Sequence, residues 1–161
     1  MPIESYQEGQ RSEDMQRITK QEINEAMPGD TYLFLRRVLK ELVAAKENFQ
    51  GTAQEKKKEL QRIANQSDAD DNPAIYWATH FDPKYILLLL DSGADPNKTG
   101  QLGITALHQA AYKGKELIVK LLLQRGADAN IKDQLDRKPI DMAKEGGYDS
   151  IVKLLQPRTT P

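Results

Sequence analysis

Cysteine is absent from this 161-residue chain, which excludes disulfides, zinc-thiolate sites and cysteine nucleophiles. Histidine is scarce: His80 and His108 are the two present, too far apart and too few for metal-ligand spacing. Aromatic residues make up 6% and apolar residues 39%, little for a protein built around one thick central core. Neither charge sign dominates, and 23 basic against 24 acidic residues leave a net charge of −1. So weak a field argues against nucleic acid as partner, because a binder must displace counterions from phosphates. The longest apolar run, Tyr85 to Leu90, is far too short to span a bilayer. The polar start MPIESYQEGQRSEDMQ has no apolar stretch of signal-peptide type. These shortages point to a soluble, cytoplasmic protein with no cofactor, no metal and no membrane contact.

Catalytic patterns are missing too. There is no G-x-S-x-G elbow and no H-E-x-x-H helix, and the two glycines of GQLGIT precede no lysine of a phosphate loop. Asp68, Asp70 and Asp71 cluster without the alternation and glycine of a calcium loop. Lys56, Lys57 and Lys58, flanked by Glu55 and Glu59, read as a solvated helix face. No enzyme is expected.

What the chain does have is a repeat. LLLDSGADPN at 88–97 returns as LLLQRGADAN at 121–130, a shift of 33 residues. The same shift carries Ala78 to Ala111, Gly114 to Gly147, and Leu88 and Leu89 through Leu121 and Leu122 to Leu154 and Leu155. A fixed period of this size signals one supersecondary unit repeated along the chain. Within the middle unit, Thr105 is placed to cap a first helix and Gly114 to stop it. A second helix runs from about Glu116 to Gln124, with Ile118, Leu121 and Leu122 on one face, and Gly126 ends it. Asp128 and Asn130 then sit in an extended turn, where short polar side chains bond nearby backbone. Asn72-Pro73 and Lys138-Pro139 hold the helix-start register in the flanking units, and Asp82-Pro83 starts the second helix of the first.

These residues resemble the ankyrin-repeat motif. The middle unit carries Gly103, Thr105, Leu107, His108, Ala110, Ala111, Gly114, Ile118, Val119, Leu121 to Leu123, Gly126, Ala127, Asp128 and Asn130 in that register. The likeness covers roughly residues 70–156 and implies an all-α fold: a solenoid of helix-turn-helix repeats with hairpin-like turns. It also implies a structural role for His108, bonded to neighbouring turn residues. The repeats are expected at about 67–98, 99–131 and 132–156, followed by a tail at 157–161. Lys144 and Gln156 replace the apolar residues of the other units, as expected of a C-terminal cap, since burying them unpaired would cost several kcal/mol. Pro157 stops the last helix, and RTTP is expected to fray.

The first unit deviates in the opposite sense. Leu87 stands where Lys120 and Lys153 stand, and Trp77 and Tyr85 add apolar bulk, so this unit needs cover on more than one side. The cover is expected from upstream. A helix at 30–49, capped by Asp30, presents Leu35, Val38, Leu39 and Leu42 as a stripe, with Arg36, Arg37, Lys40 and Glu41 facing away. Thr52 and Glu55 open a second helix to about Asn65 with a capping box. Residues 1–29 form a polar segment with a weak helix at about 12–27, and no repeat register is visible before residue 66. MPGDTYLFLRRVLKEL is faintly similar to the start of an F-box, an adaptor helix. This leaves a second functional reading, in which residues 1–66 are the working part, docking on a complex or blocking an enzyme.

The main reading is a monomeric module that binds another protein as an adaptor, inhibitor or targeting factor. The family resemblance implies contacts through turn tips and the exposed side of each first helix. By register the tips are Gln101, Leu102 and Ile104, then Gln134, Leu135 and Arg137. The helix-side positions are Tyr112 and Lys113, with Thr79, His80 and Glu145 in the neighbouring units. Leu102 and Leu135 lie one period apart where nothing in the fold demands leucine; they either meet a partner or pack on each other's turns. The site would be the cytoplasm, or a host-cell cytoplasm if the protein is a secreted bacterial effector.

Overall fold

The computed structural model describes residues 18–157. Residues 158–161 of the expected tail at 157–161 and the first part of the weak N-terminal helix lie outside the described residues. All regular elements among the described residues are helical, and the strand-like pairing they show is one antiparallel bridge between Ser67 and Pro73. The chain divides into two compact units, one ending at Asp95 and the other beginning at Pro96.

The first unit holds α1 (Lys20–Ala26), α2 (Leu33–Asn48), α3 (Ala53–Ala64), α4 (Ala74–Ala78) and α5 (Pro83–Asp91). Capping boxes open α1 and α3: Thr19 and Thr52 accept from the amides of Glu22 and Glu55, whose carboxylates return to the cap amides. Asp30 does not cap α2. The Asp30 carbonyl takes the Leu33 amide at 3.1 Å, so a turn closes before the helix begins behind Tyr32. Asn72 does not cap α4 either, since the helix starts one residue later, behind an extended Pro73. Asn72 instead donates its own amide to Asp68 Oδ1 at 2.9 Å.

Helix α2 packs against α1, α3 and α4, burying Leu35, Val38, Leu39, Leu42 and Val43. Every side chain from Tyr85 to Leu90 on α5 is buried, and Leu87 is 2% exposed. Each large side chain removed from water contributes about 1.5–3 kcal/mol. Trp77 is half-buried, edge-on to Tyr32 at 6.0 Å, with its indole N–H on Asp68 Oδ2 at 2.7 Å. Lys84 at the start of α5 pairs with Glu22 of α1. At the far end, the Asn65 amide donates to the Gly93 carbonyl at 2.9 Å and its oxygen accepts from the Asp95 amide at 2.7 Å.

The second unit repeats that last device. Asn97 donates to the Gly126 carbonyl at 3.1 Å and accepts from the Asp128 amide at 2.7 Å. Its helices are α6 (Ala106–Tyr112), α7 (Glu116–Gln124), α8 (Pro139–Glu145) and α9 (Asp149–Leu155), with a 3₁₀ turn at Gln101–Gly103. Helix α6 lies against α7 and α8, α8 against α9, and α9 against α7, so two helix pairs stack side by side. Leu107, Ala110, Ala111, Ile118, Val119, Leu121, Leu122, Ala143 and Ile151 fill the interior. Small residues on the first helices let the pairs approach closely. Lys120 pairs with Glu116 at the register where the first unit has Leu87. Lys144 and Gln156 are both exposed.

Candidate functional site

Three turn tips share one closure. The amide five residues before each first-helix cap (Pro73, Thr105 and Lys138) bonds back across the turn: Asp68 to the Asn72 carbonyl at 3.0 Å, Gly100 to Ile104 at 2.8 Å, and Asp133 to Arg137 at 2.9 Å. In each, the residue three places on has positive φ: Asp71 at 67°, Gly103 at 71° and Asp136 at 61°. Short polar residues and glycine tolerate that left-handed backbone.

The first and third tips are braced from inside by a carboxylate. Asp68 Oδ1 accepts from the amides of Asp70 and Asn72 at 3.0 and 2.9 Å. Asp133 Oδ1 accepts from Leu135 and Arg137 at 2.8 and 2.9 Å, while its Oδ2 takes the Arg137 Nε at 3.0 Å. The Asp133 side chain is 1% exposed. Burial pushes its carboxyl up, but the bonds from Arg137 and Leu135 outweigh this and hold it below the usual carboxylate range. Sequence reading missed both aspartates as tip braces. The signal available was an aspartate five residues before the caps Pro73 and Lys138.

The middle tip has glycine at the bracing position, so its shape must come from elsewhere. Leu102 itself adopts φ 57° and ψ 18°, a conformation costing a non-glycine residue about 1–2 kcal/mol. Its carbonyl accepts the Gln134 amide at 2.9 Å, tying the second tip to the third. A Cβ on Gly103 would sit 3.3 Å from the Asp133 backbone, so the glycine permits this close approach. The two tips are tied into one edge.

On that edge Leu102 is 61% exposed and Leu135 is 69% exposed. Neither leucine is covered by its neighbour's turn. Gln101 and Gln134 are exposed beside them, while Ile104 is half-buried. Arg137 is committed to the tip itself: the Asp133 carboxylate and Glu145 at 3.4 Å hold it, and the bond it donates to Asp133 pushes its pKa up. Tyr112 is 55% exposed, but it closes the opposite end of α6 from the tips. Seven helical residues place it about 10 Å along the axis. The structure therefore joins Leu102 to Leu135 and separates both from Tyr112 and its exposed neighbour Lys113.

Thr79 is not a surface position. It is fully buried, with its hydroxyl donating to the Tyr76 carbonyl at 2.7 Å. Its place at the end of a short α4 turns it inward, where the hydroxyl shares the Tyr76 carbonyl with the Thr79 amide at 3.3 Å. His80 is half-buried in an aromatic group with Tyr32, Tyr76 and Trp77, its Nδ1 3.1 Å from the Trp77 carbonyl.

His108 is fully buried and joins helix to tip. Thr105 caps α6 by accepting the His108 amide at 3.3 Å, and the Thr105 amide returns to His108 Nδ1 at 3.2 Å. With Nδ1 an acceptor, the proton lies on Nε2, which donates to the Arg137 carbonyl at 3.0 Å. Burial pushes the ring below the ordinary imidazole pKa. Gly114 and Gly126 follow their helices at φ 68° and 89°, and Asp128 Oδ1 takes the Asn130 amide at 2.8 Å.

No group of three His, Asp or Glu side chains suited to a metal occurs among the described residues. No helix among them is long and apolar enough to cross a membrane. A family model described as ankyrin repeats (3 copies) matches residues 75–160. No curated protein matches the chain.

Proposed function

The chain belongs to the ankyrin-repeat family, whose repeats generally bind other proteins, and on that premise we propose that the joined tips of its second and third repeats are the partner-binding edge. The observation that carries the reading is Leu102: a leucine 61% exposed, held at φ 57° where glycine or asparagine would fit without strain. Backbone strain that the fold does not need points to a function served by the side chain. Leu135 extends the same apolar edge, and Gln101 and Gln134 rim it. The protein acts as a monomeric adaptor, inhibitor or targeting factor in the cytoplasm, with no chemistry of its own. Helices α2 and α3 serve as the end cap of the first repeat. A specific complex of usual size buries about 800 Å² per partner, which the tips and the exposed side of the first helices can offer.

The test is Leu102→Asp combined with Leu135→Asp. Exposed substitutions of this kind change stability by about 0.5 kcal/mol or less, so the melting temperature stays close to wild type. Used as bait beside the wild type, the double variant loses a partner that the wild type retains. The purified partner then binds the variant at least about 10-fold more weakly. Equal retention by both baits would refute the edge, and unfolding of the variant would make the leucines structural.

A further inference from the structure

Helix α2 turns a cationic groove outward. Leu33, Arg36, Arg37, Lys40 and Ala44 follow its solvent face at three- and four-residue spacing, and with Lys20 they line a groove of about 430 Å³. That is within the roughly 300–1,000 Å³ of ligand clefts. Four cations stand there against one carboxylate, Glu41, in a chain whose net charge is −1.

Of these four cations only Arg37 meets a carboxylate, so net positive charge remains on the face. Arg36 Nη1 donates to the Met27 carbonyl at 3.2 Å. Arg37 lies over the Phe34 ring at 5.6 Å and reaches Gln66 Oε1 at 3.3 Å. Its approach to Glu41 is 4.0 Å, while the Glu41 carboxylate takes the Gln66 amide at 2.9 Å. Lys20 and Lys40 make no ion pair among the described residues. Elsewhere Arg62, Lys84, Lys120 and Arg137 each meet a carboxylate directly. Arg36, positioned by a neutral carbonyl, and Arg37, whose ion pair is long, are ready to grip carboxylates in forked pairs.

We propose that this groove is a second docking site, for an acidic peptide segment of a partner protein with apolar residues flanking its carboxylates. Leu33 is 53% exposed at one end and Ala44 marks the other, about 16 Å apart along the helix. An extended segment of about five residues covers that span, placing acidic side chains over Arg36, Arg37 and Lys40. The apolar ends and Glu41 are unsuited to a phosphate backbone, which settles the choice against nucleic acid. The site is independent of the tip edge and fails or stands without it.

The test uses the full chain and a fluorescein-labelled Leu-Glu-Glu-Glu-Leu peptide, followed by fluorescence anisotropy. Binding saturates, weakens with added salt, and falls at least about 10-fold in Arg37→Glu with Lys40→Glu. Lys57→Glu with Lys58→Glu makes the same change in net charge on exposed α3 positions and alters binding less than about 2-fold. Arg37→Gln with Lys40→Gln keeps side chains suited to a helix and shows a smaller loss even if the reversed variant does not fold. A Leu-Lys-Lys-Lys-Leu peptide gains affinity for the charge-reversed protein. Absence of saturable binding, equal loss in both charge-reversed variants, or tighter binding of an oligothymidylate overturns the proposal. Binding that emerges only after Glu13→Gln with Asp14→Asn gives the groove to the chain's own N-terminal segment and also overturns it.

Discussion

The Asn65 side-chain amide donates to the Gly93 carbonyl at 2.9 Å, and Asn97 makes the corresponding bond to Gly126 at 3.1 Å. Each asparagine also accepts the amide two residues after that glycine, from Asp95 and Asp128 respectively, at 2.7 Å. Asn97 ends a recognised repeat. Asn65 ends α3, in a stretch without repeat register, yet does the same work for the unit that follows it. Within the first unit, α3 thus ends in the same asparagine device as a recognised repeat.

If that equivalence is energetic as well as geometric, Asn65→Ala and Asn97→Ala lower the unfolding free energy by similar amounts. Losing the bonds to a carbonyl and an amide at once costs about 1–2 kcal/mol. Urea denaturation of each variant measures it. A negligible effect at Asn65 beside a full effect at Asn97 would reduce α2–α3 to a loosely attached extension.

Leu102 and Leu135 are both exposed, but only Leu102 has positive φ. Asparagine tolerates that backbone, so Leu102→Asn stabilises the protein by about 0.5–1 kcal/mol. Leu135→Asn leaves stability within about 0.5 kcal/mol. Thermal denaturation distinguishes the two, and a destabilising Leu102→Asn would show that the leucine contributes more contact than its exposure indicates.

His108 gives stability a pH dependence of defined sign. Burial holds its folded-state pKa below the ordinary value, so the unfolded chain binds the extra proton first. The stabilising contribution is complete above the unfolded pKa of about 6.5 and declines as pH falls through the lower folded value. His108→Gln, which offers a donor and an acceptor without a titrating proton, flattens that part of the profile. Nitrogen NMR shifts should also place the ring proton on Nε2 at neutral pH. A proton on Nδ1 would contradict the bonding to Thr105 and Arg137.

Tyr148 is held between two glycines. A Cβ at Gly146 would lie 2.4 Å from Tyr148 Cε2 and 3.3 Å from the Tyr112 carbonyl oxygen. Gly146 has φ −78° and ψ −11°, which any residue adopts, so a change there tests space alone. Gly146→Ala is expected to destabilise by about 1–3 kcal/mol through overpacking. In a Tyr148→Ala background the same change becomes neutral or favourable. A double-mutant cycle without coupling would show that the ring moves aside freely.

Local periodicity made the helix pairs of residues 70–156 readable in advance. Spacing of three and four places Ile118, Leu121 and Leu122 on one face whatever packs on it, and Thr105, Gly114 and Gly126 act on their own termini. The capping boxes at Thr19 and Thr52, and the inward stripe of α2, are likewise effects within a few residues. The departures arose where distant segments decide. Thr79 looked exposed by register, but a shortened α4 carries it inside. Nothing local in the sequence marks Asp133 as buried, because its cover includes Arg137 bonded back onto its carboxylate. Leu102 and Tyr112 belong to one unit and to one expected surface, whereas the length of α6 keeps them apart. Side-chain pattern carries information about which face is apolar, because that follows from the helical pitch. Which tip ties to which, and which cations stay unpaired on α2, depends on contacts between segments far apart in the chain, and only the packed tertiary structure supplies those.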